Sequence, residues 1–328
     1  MNRTRSWLAA IAIGALAAHA DTTSLGDMYT VTVPVTGMGE SAQQAAFREA
    51  MRNILVRATG RRDAAELESL APLVAGAGGH VVSFRRAAGN LLAVSFDGSA
   101  IENAIDAAGL PFWGPDRPRT LIWLAVELGA RRELISSSTT GDDRQRIERA
   151  AAGRGVPIVW PAVGDDLGRG LQQVWAGDHE SLVTAARRYG AEGVLIGRAV
   201  ALGAGQYDVE WTFASAGLSA VARGDLESGP DLAADRYASA FASQTAGQRV
   251  EQLVTVTGVD TLASYATALQ VLGRLSPVRS VAVDEVTQDA VSFVVTVRGD
   301  PDALRNAIRR AGRLVPVDES RMIFALAP

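Results

Sequence analysis

Apolar positions recur every second residue through Met28–Val35 (MYTVTVPV), which predicts a half-buried strand. They shift to helical spacing from Ser41 to about Thr59, then return to strand patterns at Val81–Arg86 and Leu91–Phe96. A helical stretch follows from Ile101 to Leu110. The carboxyl end repeats this order. Leu253–Val259 leads into a helix over about Thr261–Leu275, then strands at Val278–Val283 and Val291–Val297, then a helix from Leu304 that stops at Gly312. Ile101-Glu-Asn-Ala-Ile and Leu304-Arg-Asn-Ala-Ile occupy matching places, and each helix ends on Ala-Gly. The expectation is two related split-βαβ (ferredoxin-like) units, with Asn103 over Asn306, Gly109 over Gly312, and a further strand at Met322–Leu326. Ser41 and Asp260 are the expected N-caps, and Gly109 and Gly312 sit where C′ glycines belong.

Between these ends the pattern differs. All tryptophans except Trp7 fall between Trp113 and Trp211. Leu121–Val126 reads as a buried strand, Ser136–Asp143 as a polar loop, and Asp143 or its neighbour as the start of a helix running to about Ala152. A short strand is expected at Val156–Trp160, a helix capped by Asp178 and ending at Tyr189-Gly190, and a strand over Gly193–Leu202. Tyr207, Val209, Trp211 and Phe213 then share one face of a strand, with Asp208, Glu210 and Thr212 on a wet face. Asp231 is expected to cap a long helix carrying Tyr237, Phe241, Val250 and Leu253. The fold class is therefore α/β (α+β) in three small modules: a split-βαβ domain over 21–112, a Trp-rich α/β domain over 113–250, and a second split-βαβ domain over 251–328.

Residues 1–20 are set apart as a signal peptide. Arg3 and Arg5 precede the apolar run Trp7–Ala18, and Ala18-His-Ala20 is a small-x-small site before Asp21. The run is shorter than the roughly 20 residues a membrane-spanning helix needs, so cleavage after Ala20 and a periplasmic, exported location are expected. No later segment is apolar for long enough to span a bilayer.

Composition removes several chemistries. The chain has no Cys and no Lys, its basic residues being 32 Arg. That leaves no disulfide, no catalytic thiolate, no Schiff-base amine and no phosphate loop of the Gly-Lys-Ser/Thr type. The net charge is -4, and removing Arg3 and Arg5 with the leader makes the remainder more acidic, so nucleic acid is not an expected partner. Arginine pairs such as Arg61-Arg62 and Arg85-Arg86 are scattered, as solvated helix faces and strand ends would leave them. His80 and His179 lack partners at metal-ligand spacing, so neither metal nor cofactor is expected. No Gly-x-Ser-x-Gly elbow is present.

The chain resembles an exported proteobacterial family, domain of unknown function 2066. The likeness rests on Leu110-Pro-Phe-Trp-Gly-Pro-Asp-Arg-Pro-Arg119 with the strand Thr120–Glu127, on Gly155-Val-Pro-Ile-Val-Trp-Pro161, and on Arg188–Arg198. Tyr189–Phe213 is separately similar to the amino-terminal α/β domain of the periplasmic propeller protein of the Tol envelope system. These resemblances imply an envelope location and carry no catalytic residues.

Two functions remain. One is a non-catalytic interaction or assembly factor of the cell envelope, docking envelope proteins at open strand edges. The other is a glycan-binding protein or weak glycan hydrolase. Its candidate ligand residues are Trp113, Arg117 and Trp160, with Asp165 and Asp166 in a loop beyond the strand end, where α/β sheets tend to hold ligands. Exposure of Trp113 and Trp160 in one concave pocket favours the second reading; burial of both favours the first.

Overall fold

The computed structural model describes residues 28–162, 166–215, 217–242, 249–299 and 301–327. The expected leader and cleavage site lie outside them. Among the described residues three sheets are present, in an α/β arrangement.

The amino-terminal unit contains β1 (Thr30–Pro34), α1 (Glu40–Thr59), the short α2 (Ala71–Ala75), β2 (Val81–Ala87), β3 (Leu91–Phe96) and α3 (Gly98–Ala107). Its strands are antiparallel in the order β1-β3-β2. Val31, Val33, Leu92, Val94 and Phe96 project to one face, where Phe47, Met51 and Ile54 of α1 and Ile101 and Ile105 of α3 cover them. Period two in the strands and period 3.6 in the helices thus close one core. Asp97 caps α3, its carboxylate accepting from the Ser99 and Ala100 amides. The cap of α1 is Gly39, without a side-chain bond, so Ser41 lies inside the first turn rather than at the cap. That helix ends at Gly60 in the left-handed region (φ 71°), where a Cβ would lie 2.2 Å from the Ala238 Cβ, so only glycine suits both the turn and the close approach.

The central unit holds β4 (Thr120–Leu128), β5 (Arg131–Ile135), α4 (Asp142–Arg154), β6 (Ile158–Val159), α5 (Asp166–Ala176) and α6 (His179–Ala186). It continues with β7 (Gly193–Gly203), β8 (Gln206–Ser215), β9 (Leu218–Gly224) and α7 (Ser228–Phe241). The sheet order is β5-β4-β7-β8-β9, with β6 beside the start of β4. Ile122, Leu124, Leu195, Trp211 and Phe213 face α4 and α7. Leu121, Trp123, Val194 and Ile196 face α5 and α6. The expected wet face of β8 is an ion-pair ladder, with Asp208 on Arg223 and Glu210 on Arg198 at 2.9 Å. Two elements, α5 and α7, differ from expectation. From Asp166 onward the expected loop is α5, whose apolar stripe (Leu167, Leu171, Val174) is diluted by Gly168 and Gly170. The N-cap of α7 is Glu227, which leaves Asp231 in the first turn. That helix ends at Phe241, and Val250 and Leu253 belong to the next strand.

The carboxyl-terminal unit comprises β10 (Arg249–Thr257), α8 (Leu262–Arg274), β11 (Val278–Val286), β12 (Ala290–Arg298), α9 (Pro301–Ala311), β13 (Leu314–Asp318) and β14 (Ile323–Leu326). Its first three strands take the order β11-β12-β10, the order of their counterparts β2-β3-β1. The helices α8 and α9 again cover one face, over Val254, Val256, Phe293 and Val295. Thr261, one residue beyond the expected Asp260, caps α8 in a reciprocal box with Ser264. A split βαβ places its last strand antiparallel beside the first. Here the hairpin β13–β14 puts β14 there in parallel, with Thr255 opposite Ile323. Among the described residues, no helix is long and apolar enough to cross a membrane.

Candidate functional site

Of the proposed ligand residues, Trp113, Arg117 and Trp160 are buried. Trp113 (0% exposed) and Trp160 (1%) both belong to the core between the central sheet and its α4/α7 layer. The Trp160 indole donates to Glu148 Oε1 at 3.1 Å, a carboxylate that Arg144 Nε also reaches at 2.7 Å. Trp113 lies under the Arg117 guanidinium, 3.8 Å from the ring centroid. Neither indole offers a face to a sugar. Asp165 lies outside the described residues, and Asp166 is placed only as the first residue of α5.

Arg117 is likewise buried, at 8% exposure. Its guanidinium donates to the carbonyls of Gly114 (2.8 Å), Trp113 (2.7 Å), Arg57 (2.7 Å) and Gly155 (2.8 Å). Two of these carbonyls lie at the carboxyl ends of α1 and α4, where the helix dipoles are negative. Burial holds its pKa well below the ordinary guanidinium value, and the neighbouring cations Arg57 and Arg154 add to this. Its chemistry is that of a staple between the amino-terminal and central units. Arg154 reinforces the same seam, reaching Asp231 (2.8 Å), Asp235 (2.6 Å) and the Gly60 carbonyl (2.9 Å).

A second ionic seam joins the two terminal units. Arg298 Nη2 meets Glu102 at 2.5 Å and its Nε meets Asp106 at 2.8 Å, while Arg279 reaches Glu102 at 2.7 Å and Asn103 at 2.8 Å. Tyr29 donates to the same Glu102, and burial followed by that negative charge pushes its phenol far above the usual range. Asn306, aligned with Asn103 in the sequence, instead accepts from Arg309 within its own helix. Both seams were missed by sequence reasoning, because each is built from residues far apart in the chain.

The clefts are polar and open. One of about 660 Å³ is bordered by Ser99, Arg249, Glu251 and Arg279. Another, of about 560 Å³, lies between α5 and α6 over Trp123, with Arg169, Gln173 and Glu180 on its rim. Among the described residues, no group of three or more His, Asp or Glu is placed to hold a metal ion.

Among the described residues several strand edges are left without a neighbouring strand, β5, β9 and β13 as well as β2 and β11. Each of β2 and β11 has one sheet partner and ends its sheet. On β2, Val82 is 70% and Phe84 50% exposed; on β11, Val283 is 42% and Val286 66% exposed. An edge of this kind offers unpaired backbone donors and acceptors beside apolar side chains, the chemistry that receives another strand.

A family model described as Domain of unknown function (DUF8605) matches residues 23–114, a span that takes in the amino-terminal unit. Its number differs from that of the family the sequence resembles, and it covers a smaller part of the chain. No curated protein and no solved structure matches the chain.

Proposed function

We propose that this protein is a non-catalytic interaction or assembly factor of the cell envelope that receives partner strands at its open edges. The observation that carries this reading is the pair of exposed apolar edges, β2 and β11, one on each terminal unit. Main-chain pairing supplies affinity in strand addition, and alternate side chains supply selectivity. The envelope location rests on the leader-like first twenty residues and on the resemblance to family 2066. The rival, glycan binding or hydrolysis, draws less support because Trp113 and Trp160 bury their rings.

The test compares two variants in a deletion strain at matched protein level, read by complementation and by crosslinking in intact cells. Val82→Lys with Val286→Lys places charge on both edges, as proteins do to block strand addition, and is expected to abolish function and partner crosslinks. Asp165→Asn with Asp166→Asn keeps shape but removes carboxylate chemistry, which contributes about 10²–10⁴-fold in general acid–base catalysis. This variant is expected to function normally. Loss of function in the Asn variant, with the protein folded and accumulating, overturns the proposal in favour of an enzyme.

A further inference from the structure

The edges of β2 and β11 are complementary to one another. On β2, Arg85 and Arg86 follow Phe84; on β11, Asp284 and Glu285 precede Val286. All four charged side chains are exposed, and none has an ion-pair partner among the described residues. We propose that a partner of this chain is a second copy of itself, with β2 of one molecule pairing with β11 of the next. This rests on the reading of the edges as docking surfaces and adds the identity of the occupant.

An antiparallel register fits the side chains as they stand. It sets Phe84 opposite Val286 and Arg85 opposite Glu285, and brings Arg86 beside Asp284, which stands at the bulge between Val283 and Glu285. Phe84 pairs with Val94 in its own sheet, on the helix-covered face, and lies edge-on to Phe47 of α1 at 5.3 Å. Val286 pairs with Val291, also on the helix-covered face of its sheet. Arg85 pairs with Ala93 and Glu285 with Ser292, both on the opposite faces. The joined sheet therefore keeps both helical layers on one side and sets opposite charges directly across from each other. Such cross-strand pairs are favourable and like-charge pairs unfavourable. Pairing β2 with β2 gathers four arginines along one seam, and pairing β11 with β11 gathers four acids, with no opposite charge on those tetrads to offset them. The contact is thus heterologous, closing into a ring if the rotation allows and otherwise extending as a filament. Two short strands bury little area, so the association is weak and concentration-dependent.

Sedimentation velocity on the exported full-length protein, from about 10 μM to about 1 mM, spans the range where weak contacts are read. The sedimentation coefficient is expected to rise with concentration. R85E/R86E makes both edges acidic and D284R/E285R makes both basic, so each alone is expected to associate about tenfold more weakly or less. Mixed in equal amounts, the two have complementary edges again, and association is expected to return. Exposed positions are changed, so circular dichroism melts should match the wild type, and the mixing arm controls for any loss of fold. A wild-type chain that stays monomeric throughout overturns the proposal, as does a mixture no more associated than its components. If the chain is monomeric yet R85E/R86E loses crosslinks in cells, the self-pairing falls and the docking reading stands. If neither association nor crosslinks respond to any edge change, both fall.

Discussion

The two terminal units share a strand order but close the inner edge of their first strand by different means. Along β1, the outward carbonyls of Thr30 and Met28 accept from Arg57 Nη1, at 2.9 and 3.4 Å. Along β10, the same edge is taken by β14, in register from Thr255 opposite Ile323 to Thr257 opposite Ala325. A side-chain cation does in one unit what a strand does in the other. The difference has a consequence for coupling. Arg57 passes its own carbonyl to Arg117, so the closure of the amino-terminal unit is chained to the central unit. The closure of the carboxyl-terminal unit is internal. Shared connectivity therefore fixes neither how a unit is stabilised nor what its remaining edge presents, which is basic on β2 and acidic on β11.

The largest expected effect comes from cutting the seam between these two units. In Arg298→Met, Glu102 and Asp106 stay in place with side chains only 15% and 12% exposed; Glu102 keeps Arg279 at 2.7 Å, and Asp106 keeps only the longer contacts to Arg249 at 3.7 Å and Arg279 at 4.0 Å. Removing one partner of a buried ion pair costs about 3–5 kcal/mol, because the other charge is left without compensation. Urea denaturation should show that loss. Adding Glu102→Gln and Asp106→Asn should recover part of it, since neutral groups carry a smaller desolvation penalty. A loss under about 1 kcal/mol is the range of an exposed pair, and would remove this seam from the comparison.

A smaller loss is expected from Arg57→Met, which uncovers the edge of β1. A buried carbonyl left without its donor costs about 1–3 kcal/mol. The sharper reading is spatial: amide exchange should quicken in β1 and β3 and stay unchanged in β10 and β12. Equal quickening in both units would show that they are not separately closed.

What the sequence displayed well was what periodicity carries. The strands β3 and β12, the helix α9, and the burial of Trp123 and Trp211 follow from patterns within each segment. Gly109 and Gly312 take left-handed conformations (φ 68° and 63°) after their helices, as their positions suggest. The elements that escaped notice lack a clean pattern. Two glycines interrupt α5, and Pro316 with exposed Val315 and Val317 breaks the alternation of β13. The burial of Trp113, Trp160 and Arg117 was hidden for a different reason. Trp113 and Trp160 sit beside prolines or Pro-rich turns, and arginine is seldom fully buried without an acid. Arg117 is buried because carbonyls from Arg57 and Gly155, far off in sequence, converge on it. No local spacing encodes that convergence. The charges at the open edges were visible as residues, and acquired meaning only with the register that sets them across from each other.

The smallest expected effect tests a further contact, where the link before β4 meets the carboxyl-terminal unit. Gly114 approaches Ser276 so closely there that a Cβ would lie 2.7 Å from its Cα. Next in this link, Asp116 is partly buried. Burial raises its carboxyl pKa, and the nearby Arg310 and Arg274 pull it down by less. A carboxyl whose folded-state pKa is raised binds more protons folded than unfolded, so stability falls as pH rises from about 4, the ordinary Asp value, through the raised value. Asp116→Asn should therefore stabilise the protein modestly at pH 7 and make no difference once the pH is low enough to protonate Asp116 in both states. Glu192 supplies an independent readout. Its carboxyl is raised first by its own burial and then by the charge on Asp116. In the Asn variant that second cause is gone, and the Glu192 titration followed by NMR should move downward. Urea midpoints at the two pH values decide the sign. If Asn destabilises at pH 7, the arginines outweigh burial at Asp116, and this contact is an ionic one like that at Arg298. Stabilisation instead means that the central and carboxyl-terminal units meet chiefly through close packing.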